Sequence, residues 1–251
     1  MTPLTAILRA LEQDGFAILR GVEPRTDIAI CIAELESVLA VDATSAPVRS
    51  AGGTVYAARN LLELWPAAAA LGDQPPLPSL LVAVLGDGYG LVRALFFDKP
   101  PDRTWALPWH KDLTVAVRDN RRPGTAFSKP TRKAGVPHAE APLAVLEKML
   151  TVRVHLDDVT VENGPLRVLP GSHRTGKELR CDGFSPHTVL AGAGDALVMR
   201  PLLAHASNCS QPGTRRHRRI VHLEFAAAGD LPDGYEWYSY RPMPCAGRAS
   251  C

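Results

Sequence analysis

The sequence predicts a mainly β fold with flanking α-helices, a jelly-roll or cupin-like barrel. Two observations lead there. Helical periodicity is confined to the first third, and beyond it short strands alternate with turns rich in Gly, Pro and Asn. A length of 251 residues with no internal repeat suits one large all-β domain. The chain is therefore read as a single domain over 1–251, with a mostly helical flank over 1–88 and a barrel core over 89–230.

In chain order, Leu4, Ile7, Leu8 and Leu11 recur at helical spacing over 2–13, with Thr2 or Thr5 as the cap and Pro3 near the start. Asp14-Gly15 then turns into a short strand over 16–20. Ile28, Ile32, Leu35 and Leu39 form the stripe of a second helix over 25–40. Residues 42–60 read as loop with at most one strand, 61–71 as a helix, and 79–85 as another that ends at Gly86 and Gly88. Strands are expected over 91–97, 109–117, 150–156, 166–169, 187–190, 196–199 and 218–225. The stretch 118–140 reads as irregular, too long for an ordinary connection, and so as a candidate lid.

Composition narrows the function classes. A formal net charge of +2 points to neither nucleic acid nor a membrane surface. Cys31, Cys181, Cys209, Cys245 and Cys251 are scattered, odd in number and without CxxC spacing. That pattern argues against a disulfide framework and a structural zinc site, and fits a reducing compartment. Arg9, Glu12 and Asp14 interrupt the N-terminus, so no signal peptide is expected. No apolar run reaches the about 18 residues of a membrane span. The expectation is a cytoplasmic chain.

Two His-x-Asp motifs compete for a metal. On a strand, positions i and i+2 share a face, so the imidazole of His110 and the carboxylate of Asp112 converge. A distant second histidine would complete a 2-His-1-carboxylate site with open coordination positions, typical of non-heme Fe(II) oxygenases. The spacing alone is weak, because His155-Leu156-Asp157 repeats it. That second copy runs through Asp158 toward Asn163-Gly164 and reads as a strand end with turn carboxylates. His110 and Asp112 read as mid-strand, beside Pro108-Trp109. His205 follows the largely apolar run Met199-Arg200-Pro201-Leu202-Leu203-Ala204, which would carry it into a barrel. The plain alternatives are a satisfied polar pair and a core histidine.

Further motifs carry a resemblance. Asp98-Lys99-Pro100-Pro101, Trp109-His110-Lys111-Asp112, Asn163-Gly164-Pro165-Leu166, Leu169-Pro170-Gly171-Ser172-His173 and His205-Ala206-Ser207, with Arg218 downstream, stand in the order seen in phytanoyl-CoA dioxygenase-like proteins. The chain resembles that family over about 91–230 and only loosely before it. The resemblance implies a double-stranded β-helix and an Fe(II)- and 2-oxoglutarate-dependent dioxygenase that uses O2. It implies His110, Asp112 and His205 as the metal ligands, with His173 a turn or supporting residue. Asp112 also speaks against halogenation, since related halogenases carry a small residue there.

In the family, 2-oxoglutarate chelates iron through its C1 carboxylate and C2 ketone, and its C5 carboxylate pairs with an arginine after the distal histidine. A guanidinium suits a carboxylate because it donates two parallel hydrogen bonds. Arg215, Arg216, Arg218 and Arg219 compete for that role. Arg218 shares a face with Ile220, His222 and Glu224, whereas the apolar Val221, Leu223 and Phe225 lie with Arg219. Hydrophobicity slightly favours Arg219 inward; the family register, seven residues before Phe225 (225 − 218), gives Arg218. By the same carry-over Leu95 would pack on 2-oxoglutarate, or be plain core. Arg153 matches a co-substrate-contacting position that is tryptophan in the human member, so it would bind 2-oxoglutarate, hold a substrate anion, or form a surface ion pair. Arg118, Arg121, Arg122, Lys129, Arg132 and Lys133 are either solvated or recognise an anionic substrate. The implied reaction is hydroxylation of an unactivated C–H of a small molecule with release of succinate and CO2. Desaturation, epoxidation and cyclisation use the same cofactors, and a non-catalytic cupin-like binding protein is the reading from another class. No CoA-specific motif and no oligomeric state can be read.

Overall fold

The structure is a computed structural model that describes residues 2–41, 48–51, 54–121 and 126–243. Arg122, Cys245, Cys251 and parts of the 42–60 stretch lie outside the described residues. The first helix, α1 (Pro3–Gln13), starts where Thr2 Oγ1 accepts the Thr5 N–H at 3.2 Å. Then come β1 (Phe16–Leu19), α2 (Arg25–Val41) and a hairpin of β2 (Val48–Ala51) and β3 (Thr54–Ala58), two strands where at most one was expected. The helix expected over 61–71 is broken into α3 (Leu61–Leu64) and a 3₁₀ run, Pro66–Gly72. A residue before proline is disfavoured in the α region, and Trp65 sits at φ −134°, ψ 82°. α4 (Leu77–Leu85) closes the flank.

The strands that follow are β4 (Gly90–Phe97), β5 (Leu107–His110), β6 (Thr114–Ala116), β7 (Ser128–Lys133) and β8 (Val136–Glu140). The short α5 (Leu143–Leu146) leads to β9 (Met149–His155), β10 (Leu166–Val168), β11 (His187–Thr188), β12 (Ala196–Met199), β13 (His205–Ser207), β14 (Ile220–Ala226) and β15 (Arg241–Pro242). They form a large sheet in the order β1-β12-β9-β14-β4-β3-β2, with β15 also on β4, and a small sheet in the order β11-β10-β13-β5. A third sheet, β6-β8-β7, corrects the irregular reading of 118–140: most of that stretch is an antiparallel hairpin, with Ala139 buried against the core. Cross-strand pairing satisfies the backbone groups there that a loop would leave to water. The 109–117 strand is also interrupted, since β5 ends at His110 and β6 begins at Thr114.

The large and small sheets face one another as in a jelly roll, and among the described residues no strand pairing joins them. Their contact is apolar at one end, where Leu197 and Met199 meet Leu166, Val168, Val189 and Leu203. The outer face of the large sheet carries Val152, Val154, Val221, Leu223 and Phe225 against Leu11, Ile28, Leu35, Leu77 and Leu81 of the helices. Each of these buried side chains contributes about 1.5–3 kcal/mol, so the apolar face of β9 and β14 goes to the helices. The alternate residues, Arg153, His155, His222 and Glu224, are left on the inner face and are also buried. Among the described residues no single helix is long and apolar enough to cross a membrane.

Gly164 shows how tightly the Asn-Gly turn is fitted. Its φ is +64°, and a Cβ there would lie 2.6 Å from the Asn208 carbonyl oxygen. At Gly213, φ +79°, an added Cβ would meet nothing within 4 Å among the described residues. Gly213→Ala is expected to cost about 1 kcal/mol and Gly164→Ala about 2–4 kcal/mol, because backbone strain and collision add. Urea denaturation of the two variants checks this; equal losses would contradict the close approach.

Candidate metal centre and its cavity

His110 ends β5 and pairs directly with His205 on β13, and their ring centroids are 4.1 Å apart. His205 also pairs with Val168 on β10, which places it inside the small sheet with 2% exposure. Asp112 arrives differently from the sequence expectation. The strand has already ended, and the Asp112 N–H donates to the Pro201 carbonyl at 3.0 Å. The break is held by Lys111, whose buried Nζ donates to Ser172 O at 2.9 Å, Thr175 Oγ1 at 2.8 Å and Gly176 O at 2.7 Å. The Pro-Gly-Ser-His turn therefore anchors the residue between the two candidate ligands.

The ligand atoms of His110, Asp112 and His205 all lie within 4.8 Å of one another, and His205 Nε2 is 3.6 Å from Asp112 Oδ2. Three details fit a divalent metal. His110 Nδ1 lies 2.8 Å from Pro108 O, and His205 Nδ1 lies 2.9 Å from Leu203 O. A carbonyl only accepts, so both rings carry a proton on Nδ1, which leaves Nε2 as the nitrogen available to a metal. Asp112 Oδ2 is buried without a hydrogen-bond partner among the described residues. Burial works against the Asp112 carboxylate, but His205, His222, His110 and Arg153 outweigh it and hold its pKa down at about 2. Burial pushes His205 down to about 4, so its ring is neutral at physiological pH. A carboxylate and imidazole nitrogens are donors that Fe(II) takes.

The triad opens into a cavity of about 400 Å³ between the sheets. Leu95 on β4 lines it and is 3% exposed. Arg153 and Arg218 line the same wall, 9% and 6% exposed. Arg218 Nη1 donates to Gly164 O at 2.6 Å, its Nε has no partner among the described residues, and its backbone N–H donates to Asp98 Oδ1 at 3.2 Å. Burial, then Arg153, pushes Arg218 down to about 9, and burial pushes Arg153 down to about 10. Arg153 makes no side-chain hydrogen bond or ion pair among the described residues, so the surface ion-pair reading is excluded. Arg219 points the other way: its guanidinium donates to Asp157 at 3.0 and 2.9 Å and to Glu36 at 2.6 Å, over the helical side. Arg216 is half-exposed and pairs with Glu162 at 3.4 Å.

Several cavity residues were missed at the sequence level: Ser207, His222 and Glu224, with Arg59 and Arg93. Period-2 stepping from the recognised residues finds most of them, Ser207 from His205, Arg93 from Leu95, and His222 and Glu224 from Arg218. Lys99 is fully buried, donates to Ser207 Oγ at 3.0 Å and Asn208 O at 2.6 Å, and is pushed by burial and Arg218 to about 7. Of the basic residues in the expected lid, Lys133 lines the cavity. Arg118 pairs with Glu236, Arg121 with Asp119 and Lys129 with Glu140. Arg132 donates to Gly135 O. His173 is a turn residue, its Nε2 3.2 Å from Glu12 O.

The second His-x-Asp motif holds no metal set, because its two side chains diverge. Asp157 pairs with Arg219, while His155 is buried inside with neither ring nitrogen hydrogen-bonded among the described residues. Burial, then Arg153 and Arg218, pushes His155 down to about 3.

A jelly roll with two imidazoles and a carboxylate around one point at a cationic cavity has the architecture of mononuclear non-heme metal oxygenases. The sequence profile of the phytanoyl-CoA dioxygenase (PhyH) family matches residues 11–217, and the chain belongs to that family. It is a 2-oxoglutarate-dependent oxygenase, an oxidoreductase whose cofactors are iron and 2-oxoglutarate. No curated protein matches the chain. Among solved structures, EvdMO1 is 23% identical with a TM-score of 0.63 over 89% of this chain, which spans 50% of the length of that one. EctD from S. alaskensis with bound Fe is 18% identical with a TM-score of 0.68, over 92% of this chain and 82% of that one. The epimerase SnoN in complex with Fe3+, alpha ketoglutarate and nogalamycin RO is 20% identical with a TM-score of 0.64, over 96% and 95% of the two chains. These likenesses establish the fold.

The buried histidine gives a pH prediction. Unfolded, His155 regains an ordinary pKa of about 6.5. Below that value the unfolded chain binds a proton that the folded chain refuses, so stability is full above about pH 6.5 and is lost as pH falls toward about 3. His155→Gln is expected to flatten the fall in Tm between about pH 7 and about pH 5. A slope equal to wild type would contradict the burial of a neutral ring; His138 and His205, each pushed by burial to about 4, contribute to the remaining slope.

Proposed function

We propose that the chain hydroxylates an unactivated C–H of a small molecule, with conversion of 2-oxoglutarate and O2 to succinate and CO2. The carrying observation is the pairing of the triad with two buried arginines whose guanidinium groups meet no carboxylate among the described residues. Burying a cation without an anion is costly, and Arg153 and Arg218 stand together. A dianionic co-substrate reaching from the triad to Arg218 offsets that cost.

In this reading His110, Asp112 and His205 hold the iron. Bound there with 2-oxoglutarate and O2, the iron supplies the oxidising chemistry that no side chain offers. The rest falls to the chain's own residues. The Pro108 and Leu203 carbonyls fix the imidazole tautomers. Arg218 would meet the C5 carboxylate with its guanidinium, which donates to Gly164 O, while its backbone N–H is held by Asp98. Arg153 supplies the second charge, and Leu95 an apolar wall that keeps water from the co-substrate. The buried Lys99 keeps Ser207 oriented at the Arg218 end. A small-molecule substrate suits a cavity of about 400 Å³. The substrate's own shape decides whether oxygen is inserted or the machinery ends in desaturation, epoxidation or cyclisation.

Succinate release from 2-oxoglutarate tests this. Asp112→Ala is expected to abolish it. Arg218→Ala is expected to raise the 2-oxoglutarate concentration required by roughly 10- to 100-fold, the loss of a charge-assisted pair. Arg219→Ala is expected to leave the requirement near wild type. Full succinate release by Asp112→Ala, or a raised requirement in Arg219→Ala alone, would overturn the assignment.

A further inference from the structure

The cavity has a second cationic wall that the co-substrate does not account for. Arg49, Arg59, Arg93 and Lys133 line it, from β2, the end of β3, β4 and β7. Arg93 is matched by Glu224 at 3.2 Å, both side chains buried. Lys133 Nζ is steered by Thr114 Oγ1 at 2.7 Å. Arg49 and Arg59 make no side-chain hydrogen bond or ion pair among the described residues. Burial, then Arg93 and Arg49, depresses the Arg59 pKa; burial, then Arg93 and Arg59, depresses that of Lys133. Four cations thus crowd one wall, where Glu224 is the neighbouring carboxylate and His138 is held neutral. Tyr56 and Trp105 meet edge to face on the same cavity, at 5.6 Å, and offer an apolar platform beside the charges.

The two groups of cations sit at different rungs of the large sheet. Arg93 stands opposite Glu224, whereas Arg153 stands opposite His222 and Arg218 lies two residues before Ile220, toward the other end of β14. One 2-oxoglutarate has a single carboxylate free once its other end meets a metal, so it neutralises a single pole. We propose that Arg49, Arg59 and Lys133 bind an anionic oxyacid group of the prime substrate, a carboxylate or a phosphate, and so hold the rest of that molecule against the triad. This rests on the reading that Arg218 and Arg153 take the co-substrate.

The test uses full-length protein with Fe(II) under anaerobic conditions. The visible charge-transfer band, titrated with 2-oxoglutarate, reads the co-substrate site. Calorimetric titration of methyl phosphate or acetate, with 2-oxoglutarate saturating, reads the second pole. Wild type is expected to bind one equivalent of anion with the band intact, and the tighter of the two probes names the group. Arg59→Gln is expected to weaken the anion about tenfold, Arg59→Lys to restore most of it, and both to leave the 2-oxoglutarate midpoint unchanged. Arg49→Gln, at an exposed position, is expected to weaken the anion as well and carries the test if Arg59→Gln does not fold. Absence of anion binding in wild type, displacement of 2-oxoglutarate by the anion, or an Arg59→Gln effect on the band alone would overturn the proposal. Absence of the band in wild type would instead sink the co-substrate reading. Anion titration of the metal-free wild type and Arg59→Gln proteins then still decides the subsite: an Arg59-dependent affinity supports it and an Arg59-independent one overturns it.

Discussion

The molecule depends on one sheet with two buried faces of opposite character. Val152, Val154, Val221, Leu223 and Phe225 pack outward on the helices and supply the core. The alternate residues face a cavity and are free to be polar. Buried polar groups are costly unless paired, so the inner face is an electrostatic demand as much as a binding site. Glu224 meets Arg93, and Asp112 is surrounded by His205, His222 and His110. Arg218 Nε and Asp112 Oδ2 have no hydrogen-bond partner among the described residues, the demand that the proposed metal and co-substrate would meet.

That two-faced sheet explains what was legible in the sequence. The helices of the flank, most strands and the triad follow from periodicity, turn residues and the order of motifs. Arg218 against Arg219 did not follow from hydrophobicity, because the rule that the apolar face points inward refers here to the helix side. Arg219 lies with Val221 and Leu223 and pairs with Asp157 and Glu36, while Arg218 lies with His222 and Glu224 in the cavity. The family register pointed to Arg218, and of the two arginines it is Arg218 that lines the cavity.

Other features were illegible for local reasons. The stretch 118–140 is rich in charge because β7 is an exposed edge strand, and that charge hides its β pairing. Asp112 looked like a strand residue on the face of His110, yet the ladder ends first and Lys111 is drawn into the turn after Leu169. His155-Leu156-Asp157 has the spacing of a metal motif and none of its convergence. The second cationic wall draws on four elements far apart in the chain, from Arg49 to Lys133, so no local pattern announces it.

The central claim is that iron sits on His110, Asp112 and His205 with its co-substrate reaching toward Arg218. The most direct measurement is a crystal structure of the anaerobic Fe(II)–2-oxoglutarate complex, with anomalous diffraction collected at the iron edge. One anomalous peak is expected among the three ligand atoms, with the C5 carboxylate on the Arg218 guanidinium. A peak elsewhere, or a co-substrate whose far carboxylate lies on Arg59, would contradict it.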